Sequence, residues 1–168
     1  MDQDDFEQFY TASYQRLLWE LFAVTGGDLP EAEDALQEAY ARASLRWKRI
    51  RTYQAPDAWV RRVALNLASS AARNTRRRAA ALLRLAPSPA PGPELSTESA
   101  DLAAGLRALP MGQRQVIVLH YLVGFPVEEI ARQLRLPSGT VKSRLARGRK
   151  TLARRLGGAT AQEVQIDG

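Results

Sequence analysis

The segment PVEEIARQLRLPSGTVKSRLARGRKTLARRL, residues 126–156, decides how the rest of the chain is interpreted. Apolar residues recur at helical spacing over residues 127–134, which predicts a first helix. The run Arg135-Leu136-Pro137 breaks this pattern, and we expect the side-chain oxygen of Ser138 to cap a second helix. The segment therefore predicts two helices joined by a tight turn.

The second of these helices separates apolar from polar side chains. At about 100° per residue, one narrow sector holds Val141, Leu145, Gly148, Leu152 and Leu156. The far side holds Thr140, Ser143, Arg147, Lys150 and Arg154. Such a helix can pack on its own domain while it enters the major groove of DNA.

The residues of this second helix divide by their expected DNA contact. Its first turns reach base edges in a helix-turn-helix, and later residues meet phosphate. We expect base contacts from Ser138, Thr140, Ser143, Arg144 and Arg147. We expect phosphate contacts from Lys150 and Arg154, and Lys142 completes the predicted set.

Charge is distributed unevenly along the 168 residues, whose formal net charge is +6. Residues 1–41 carry ten acidic side chains and one arginine, whereas residues 42–84 carry twelve basic side chains and one aspartate. Residues 132–155 carry nine basic side chains and no acid. Two basic blocks behind an acidic one predict two contacts with a polyanion and one with a different partner. Solvated helix faces are the alternative explanation of each block.

Composition argues against several classes of protein. There is no cysteine, so no disulfide or thiolate metal site is expected, and no membrane span or signal peptide is predicted. The single His120 lies among apolar neighbours, where a packing role is expected rather than a catalytic one. No phosphate-binding loop, metal-ligand cluster or paired catalytic carboxylates are found. We therefore predict a cytoplasmic, non-enzymatic protein without cofactors or metals.

The N-terminal half predicts three helices. The first is expected to begin with Asp4 or Asp5 as cap and to end before Gly26, and the second to begin after the cap Asp28. Residues 47–55 are interpreted as a break before a third helix that opens at Pro56. On this third helix, an inward side is expected for Trp59, Val60, Val63, Ala64, Leu67, Ala68 and Ala71. An outward side is expected for Arg61, Arg62, Asn66, Ser69, Arg73 and Arg76–Arg78.

The basic loop before the third helix has the composition of a site for unpaired nucleic acid, because its arginines can hold phosphate while bases stack on an aromatic ring. Core packing is the favoured explanation for Trp47 and Trp59, whereas for Tyr53 the two explanations are balanced.

A stretch rich in proline and serine divides the chain into two predicted domains. The first covers residues 1–85, and residues 86–100 form a flexible linker. The second covers residues 101–157, with a helix capped by Asp101, a helix over Gln113–Leu122 and the helix-turn-helix. Residues 158–168 are expected to form a flexible tail. The predicted fold class is all-α, with two small helical domains.

Three segments resemble the extracytoplasmic-function sigma factors of bacterial RNA polymerase, which belong to group 4 of the sigma-70 family. They are DLPEAEDALQEAYARA (28–43), APDAWVRRVALNLASSAARNTRRR (55–78) and LPMGQRQVIVLHYLVGFPVEEIARQLRLPSGTVKSRLARGRKTL (109–152). The resemblance covers about residues 5–157, and GTVKSRLARGRKTL is its most specific stretch. It implies a region 2-like bundle, a region 4-like helix-turn-helix domain and a role in transcription initiation.

The resemblance also implies roles for individual residues. It implies that Asp34, Gln37 and Glu38 contact the coiled coil of the polymerase β′ subunit. Capture and support of the −10 promoter element fall to Arg49, Arg51, Thr52, Tyr53, Gln54, Arg62, Asn66 and Arg73. The helix over residues 138–156 would contact the −35 element. The implied partners are RNA polymerase core, through the β′ coiled coil and the β flap, promoter DNA and an anti-sigma factor, and the holoenzyme would lie on the nucleoid.

Two departures from the family pattern are visible. Arg135 stands in the turn where glycine is common, so a left-handed backbone there would cost about 1 kcal/mol relative to glycine. Loop 49–55 varies within the family, so no base preference carries over. Two other hypotheses remain open from the residues: a stand-alone helix-turn-helix regulator with a dimerising or ligand-sensing N-terminal bundle, and an adaptor that binds a protein through its acidic helix.

Overall fold

The computed structural model describes residues 2–82 and 96–157. The chain divides into two compact units, here called the N-terminal and the C-terminal unit. Throughout the described ranges the regular structure is helical and no strand is present, so the predicted all-α class is confirmed.

The helices have the following bounds. The N-terminal unit contains α1 (Asp2–Val24), α2 (Leu29–Leu45), α3 (Trp47–Ile50) and α4 (Pro56–Leu82). The C-terminal unit contains α5 (Thr97–Ala108), α6 (Met111–Ile117), α7 (Val127–Leu134) and α8 (Ser138–Arg155). A π-helical turn, Val118–Leu122, continues α6.

Helix α2 lies at the centre of the N-terminal unit. Asp28 caps it as predicted, because its side chain accepts a hydrogen bond of 3.0 Å from the backbone N–H of Glu31. Apolar residues at helical spacing form its inward face, which consists of the buried Ala32, Ala35, Leu36, Ala39, Tyr40 and Ala43. The alanines on this face leave room for α1 and α4 to pack against it.

An aromatic cluster joins α1 to the end of α2 and to α3. The ring of Trp47 stacks on Phe9 at 4.9 Å and meets Phe6 at 5.2 Å in an edge-on arrangement. Tyr40 shares a hydrogen bond of 2.6 Å with the hydroxyl of Ser13. Burial raises the pKa of Tyr40 to about 12. The predicted core role of Trp47 is confirmed, whereas Trp59 is only half-buried.

The expectation that Arg61 faces solvent is wrong. Its side chain is 1% exposed, and its guanidinium donates two hydrogen bonds to the carboxylate of Glu20 on α1, at 2.6 and 3.0 Å. Glu20 is also buried, and Asp57 and Arg16 extend the network toward the surface. A buried arginine of this kind requires a paired carboxylate, and α1 supplies it across 41 residues of sequence.

Three smaller expectations for the N-terminal unit are also corrected. Helix α1 already includes Asp2, before the expected caps at positions 4 and 5. The predicted break at residues 47–55 begins with the single-turn helix α3, and only residues 51–55 are non-helical. Ala71, which was expected to face inward, is exposed and lines an open groove beside α2.

The C-terminal unit is built on close contact between α8 and its neighbours. Val141, Leu145 and Gly148 are buried as predicted, and Leu152 and Leu156 are half-buried. A methyl group added at Gly148 would lie 2.8 Å from Cγ1 of Ile117, so the glycine permits the close approach of α6 and α8. One at Gly105 would lie 3.0 Å from Cδ2 of Leu152, which marks the contact of α5 with α8.

Helix bounds in the C-terminal unit differ from three expectations. Ser96, rather than Asp101, caps α5, and its side chain accepts a hydrogen bond from the N–H of Ser99. Helix α6 begins at Met111, directly after Pro110, instead of at Gln113. Ser138 is the first residue of α8 rather than its cap, a position that Pro137 occupies.

The predicted linker and tail lie mostly outside the described residues. Of the linker 86–100, only residues 96–100 are described, and residues 97–100 belong to α5. The predicted tail 158–168 lies entirely outside them.

Candidate nucleic-acid and protein interfaces

The acidic surface, defined as Asp34, Gln37 and Glu38, lies on the exposed side of α2. Glu38 accepts a hydrogen bond of 2.7 Å from Nε of Arg42, one turn further along the helix. Gln37 lies near the hydroxyl of Tyr14, a group whose pKa is raised mainly by burial. The surface is thus fixed by helical spacing, with all three side chains open to a partner.

An open groove of 490 Å³ extends the acidic surface toward α4. Its lining includes Asp34 and Glu38 on one side, with Leu67, Ala71 and Thr75 on the other. The sequence interpretation missed the α4 side because it assigned Leu67 and Ala71 to the core. No spacing in the sequence indicated this groove, because it depends on how α2 and α4 pack against each other.

The basic loop, residues 49–55, runs from the end of α3 to α4, and all of it is exposed except Ile50, which is buried. Arg51 donates a hydrogen bond of 3.0 Å to Asp5 on α1, and Thr52 donates one of 2.7 Å to the carbonyl of Arg49. Tyr53 is 36% exposed, and Gln54 lies beside it on the surface. The loop therefore presents a ring, an amide and cations from a turn that is tied to α1.

The polar residues predicted on α4 share one face of that helix. Arg62, Asn66 and Arg73 are separated by four and seven residues, which places them within about 40° of one another. Asn66 is exposed and Arg62 is half-buried. Arg73 donates a hydrogen bond of 3.0 Å to the hydroxyl of Ser70. This face follows directly from the basic loop along the chain.

Helices α7 and α8 are joined by three residues, as in a helix-turn-helix. Arg135, the first of them, has φ 54° and ψ 49°, so the left-handed backbone considered from the sequence is confirmed. Its N–H and that of Leu136 bond the carbonyls of Arg132 and Ala131, which closes the end of α7. The turn thus has the geometry that glycine favours, with arginine in its place.

The outer face of α8 is defined as Thr140, Ser143, Arg147, Lys150 and Arg154. All are exposed except Thr140, which is half-buried. The hydroxyl of Ser143 donates to the carbonyl of Thr140, at 3.0 Å. Lys142 is exposed too, but helical spacing places it about 80° from its nearest member of this face. The face lies opposite the buried seam of Val141, Leu145 and Gly148.

Two of the predicted DNA-contacting side chains are engaged within the C-terminal unit. The guanidinium of Arg144 lies over Gly112 of α6, where a methyl group would be 3.0 Å from Nη1. The hydroxyl of Ser138 donates to the carboxylate of Glu128 on α7, at 2.8 Å. Their orientation is therefore set by neighbouring helices, a contact that no sequence spacing indicated.

The π-helical turn ends with His120, Tyr121 and Leu122. His120 is half-buried as expected, and its Nδ1 donates to the carbonyl of Phe125 at 2.8 Å. The exposed Tyr121 accepts a hydrogen bond from Arg149 of α8.

Within residues 2–82 and 96–157, no group of three or more metal-ligating side chains converges, and no helix combines the length and apolar character of a membrane span.

Family models match both units. Residues 9–78 match Sigma-70 region 2, and residues 99–152 match Sigma-70, region 4. The first range contains the acidic surface and the basic loop, and the second contains α7 and all but the last turn of α8.

Two curated relatives match along most of the chain. The ECF RNA polymerase sigma factor SigM of Mycobacterium tuberculosis is 32% identical over 157 residues, which cover 93% of this chain and 79% of the relative. The ECF RNA polymerase sigma factor SigW of Bacillus subtilis is 30% identical over 170 residues, which cover 92% of this chain and 90% of the relative.

Two solved structures share the fold. The sigma factor RpoE from Bartonella quintana, in complex with the anti-sigma factor NepR, has a TM-score of 0.64 at 24% identity and is similar in fold alone. The alignment covers 90% of this chain and 96% of that one. CnrH, in complex with the cytosolic domain of CnrY, has a TM-score of 0.62 at 28% identity, covering 94% of this chain and 90% of that one.

Proposed function

This chain belongs to the extracytoplasmic-function sigma factors of the sigma-70 family, and from that premise we propose which of its surfaces makes each contact. A sigma factor binds RNA polymerase core and directs promoter recognition and transcription initiation. The observation that carries the assignment is the presence, in this order, of region 2 and region 4 on one chain.

The acidic surface is the proposed contact with polymerase core. Asp34, Gln37 and Glu38 project from a single exposed side of α2 and offer carboxylates and an amide to a basic or polar partner. In the proposed complex this partner is the coiled coil of the β′ subunit. The α4 side of the groove would add apolar contact through Leu67 and Ala71.

The basic loop and the polar face of α4 are the proposed contact with the −10 element. Taking one base out of the stack costs a few kcal/mol. A ring such as Tyr53, with arginines for the phosphates, can offset this cost once polymerase holds the duplex in place. The free protein should accordingly bind promoters poorly.

The outer face of α8 is the proposed contact with the −35 element. Arg147 is exposed in the middle of the helix, where an arginine fork can pair with guanine in the major groove. Lys150 and Arg154 follow on the same face and would hold phosphates. Arg144 contacts Gly112 and Ser138 contacts Glu128 in the free protein. Each of these two side chains would have to give up its contact, or share it, in order to contact DNA.

Further partners are proposed from the family. The C-terminal unit would also contact the β flap, and an anti-sigma factor would bind the protein, as NepR binds RpoE of Bartonella quintana. Since polymerase carries out the chemistry of transcription, we propose that this chain itself performs no covalent reaction, needs no cofactor, and acts in the cytoplasm and on the nucleoid.

Run-off transcription tests the function directly. Purified core with this protein should initiate at discrete sites on genomic promoter fragments, whereas core alone should not. The stand-alone regulator predicts the opposite pattern: no initiation, together with tight sequence-specific binding by the protein alone.

Charge reversal tests the polymerase contact. Asp34→Lys combined with Glu38→Lys should weaken core binding by about tenfold or more, since like charges would replace complementary ones at the interface. Glu7→Lys provides a matched control, because Glu7 is exposed on α1 outside the acidic surface. Equal affinities of the double variant and the wild type would refute the assignment.

A further inference from the structure

Helix α1 is joined to both parts of the proposed −10 contact. Near its start, Asp5 accepts the hydrogen bond of 3.0 Å from Arg51 of the basic loop. Near its end, Glu20 accepts the two hydrogen bonds that Arg61 of α4 donates. A single helix of 23 residues therefore supports the loop and the helix that follows it.

The pair of Glu20 and Arg61 is a directional contact inside an otherwise apolar interface. The two side chains are 8% and 1% exposed, and Nε and Nη2 of the guanidinium bond the two different oxygens of the carboxylate. Apolar contact has no preferred direction, whereas a planar guanidinium that bonds both oxygens of a carboxylate admits one orientation. Between residues 56 and 79, the other buried side chains of α4 are all apolar: Val60, Ala64, Leu65 and Ala68.

The beginning of α4 has a second link to α1. Asp57, in the first turn of α4, lies 3.2 Å from Arg16 of α1 and 3.7 Å from Arg61. Arg16 also lies 3.8 Å from Glu20. These four side chains form a network of two acids and two arginines, which ties the first two turns of α4 to the second half of α1.

The place of Arg61 on α4 connects this network with the polar face of the helix. Arg62 follows Arg61 directly, and Asn66 lies about 40° farther round the helix. A rotation of α4 by about 20° would move groups at its surface, about 5–6 Å from the axis, by about 2 Å. A shift of that size breaks a hydrogen bond, because donor and acceptor have to lie within about 2.7–3.2 Å of each other.

We propose that Glu20 and Arg61 are positioning residues for the −10 contact: through their ion pair, α1 sets the rotation of α4 and so directs Arg62 and Asn66 toward the DNA beside the basic loop. The inference rests on the function proposed for that loop and for α4. Both side chains of the pair are buried, so they act through α4 and do not themselves contact DNA.

An apolar replacement of the pair separates positioning from stability. Arg61→Met combined with Glu20→Leu leaves no unpaired buried charge, so the N-terminal unit should stay folded and bind polymerase core as the wild type does. At saturating core, promoter opening should nevertheless fall by about tenfold, the effect of losing about one hydrogen bond. Permanganate oxidation of unpaired thymines in the holoenzyme–promoter complex measures this opening.

Val24→Ala is the matched control. It shortens a fully buried side chain of α1 that is not part of the network, so it lowers stability and leaves the pair in place. Promoter opening by this variant should equal that of the wild type at a temperature where both are folded. Unchanged opening by the apolar-pair variant, or equal losses in the two variants, would overturn the proposal.

A double-mutant cycle with Asn66 gives a result that a purely structural role of the pair would not produce. Asn66→Ala should lower opening by about tenfold in the wild-type background and by less than about twofold in the apolar-pair variant, where Asn66 is no longer directed at DNA. Independent, multiplicative losses would overturn the proposal. Full opening by Asn66→Ala in the wild-type background would instead refute the function proposed for α4.

Discussion

The two units of this chain use their cations differently. In the N-terminal unit, Arg16, Arg42, Arg51 and Arg61 each form an ion pair with an acid of that same unit. In the C-terminal unit, among the described residues, the outer-face cations Arg147, Lys150 and Arg154 form no ion pair. Similar basic blocks in the sequence therefore have different availability for a ligand.

The difference shows that a block of charged residues indicates a binding surface only after its buried and ion-paired members have been set aside. The block at residues 42–84 contains a buried structural arginine and several cations engaged at the surface. In the block at residues 132–155, Arg132 pairs with Glu129 on α7, whereas Arg147, Lys150 and Arg154 remain exposed on α8. Three substitutions, one in the N-terminal unit and two in the C-terminal unit, test the contacts that stabilise each unit, in order of expected effect.

Removal of Arg61 should have the largest effect. Arg61→Ala leaves the buried carboxylate of Glu20 without its partner, and loss of one member of a buried pair costs about 3–5 kcal/mol. Urea unfolding followed by tryptophan fluorescence measures this loss. Trp19, Trp47 and Trp59 all lie in the N-terminal unit, so the signal reports on that unit alone.

The exposed pair of Arg42 with Glu38 supplies the control for Arg61. Arg42→Ala should cost less than about 1 kcal/mol, because solvent screens the pair. The combination Arg61→Met with Glu20→Leu should recover much of the stability, since no unpaired charge remains. Similar losses in the free energy of unfolding from Arg61→Ala and Arg42→Ala would contradict the conclusion that the buried pair contributes more than the exposed one.

A methyl group at the α6–α8 contact should have the next largest effect. Gly148→Ala introduces a contact of 2.8 Å with Ile117, and overpacking of this kind costs about 1–3 kcal/mol. Gly139→Ala is the control. It brings the same gain in helix propensity at a position of the same helix that has open space around it. Amide hydrogen exchange of α6 and α8 should show faster opening for Gly148→Ala than for Gly139→Ala. The reverse order would exclude the close packing described for the seam.

The smallest effect is expected in the turn of the helix-turn-helix. Arg135→Gly relieves a left-handed backbone and should stabilise the C-terminal unit by about 1 kcal/mol. The thermal transition of that unit, followed by the exchange of α7 and α8 amides, checks the gain. A loss of stability would mean that the Arg135 side chain makes a compensating contact.

Much of the fold could be predicted from local patterns. The cap at Asp28, the buried face of α2 and the bounds of α7 all follow from spacing and side-chain chemistry over a few residues. Arg61 could not be placed in this way, because its burial depends on Glu20, a partner 41 residues away. A periodicity count treats every arginine as solvent-exposed.

The candidate interfaces, too, could be predicted from the sequence only in part. The shared sides of the acidic surface and of the outer face of α8 follow from helical spacing alone. The contact of Arg144 with Gly112 and the groove between α2 and α4 depend on how helices pack. Their signals lie in the tertiary structure and have no counterpart in the sequence pattern.

The central claim is that the N-terminal unit holds polymerase while α8 contacts the −35 element, and run-off transcription at increasing core concentration tests it most directly. Two variants are compared on one promoter: Asp34→Lys with Glu38→Lys, and Arg147→Ala. Saturating core should restore the transcript of the first variant, because only its affinity for core is reduced. It should leave Arg147→Ala impaired, and more so than Arg154→Ala. Rescue of both by core, or of neither, would contradict the account.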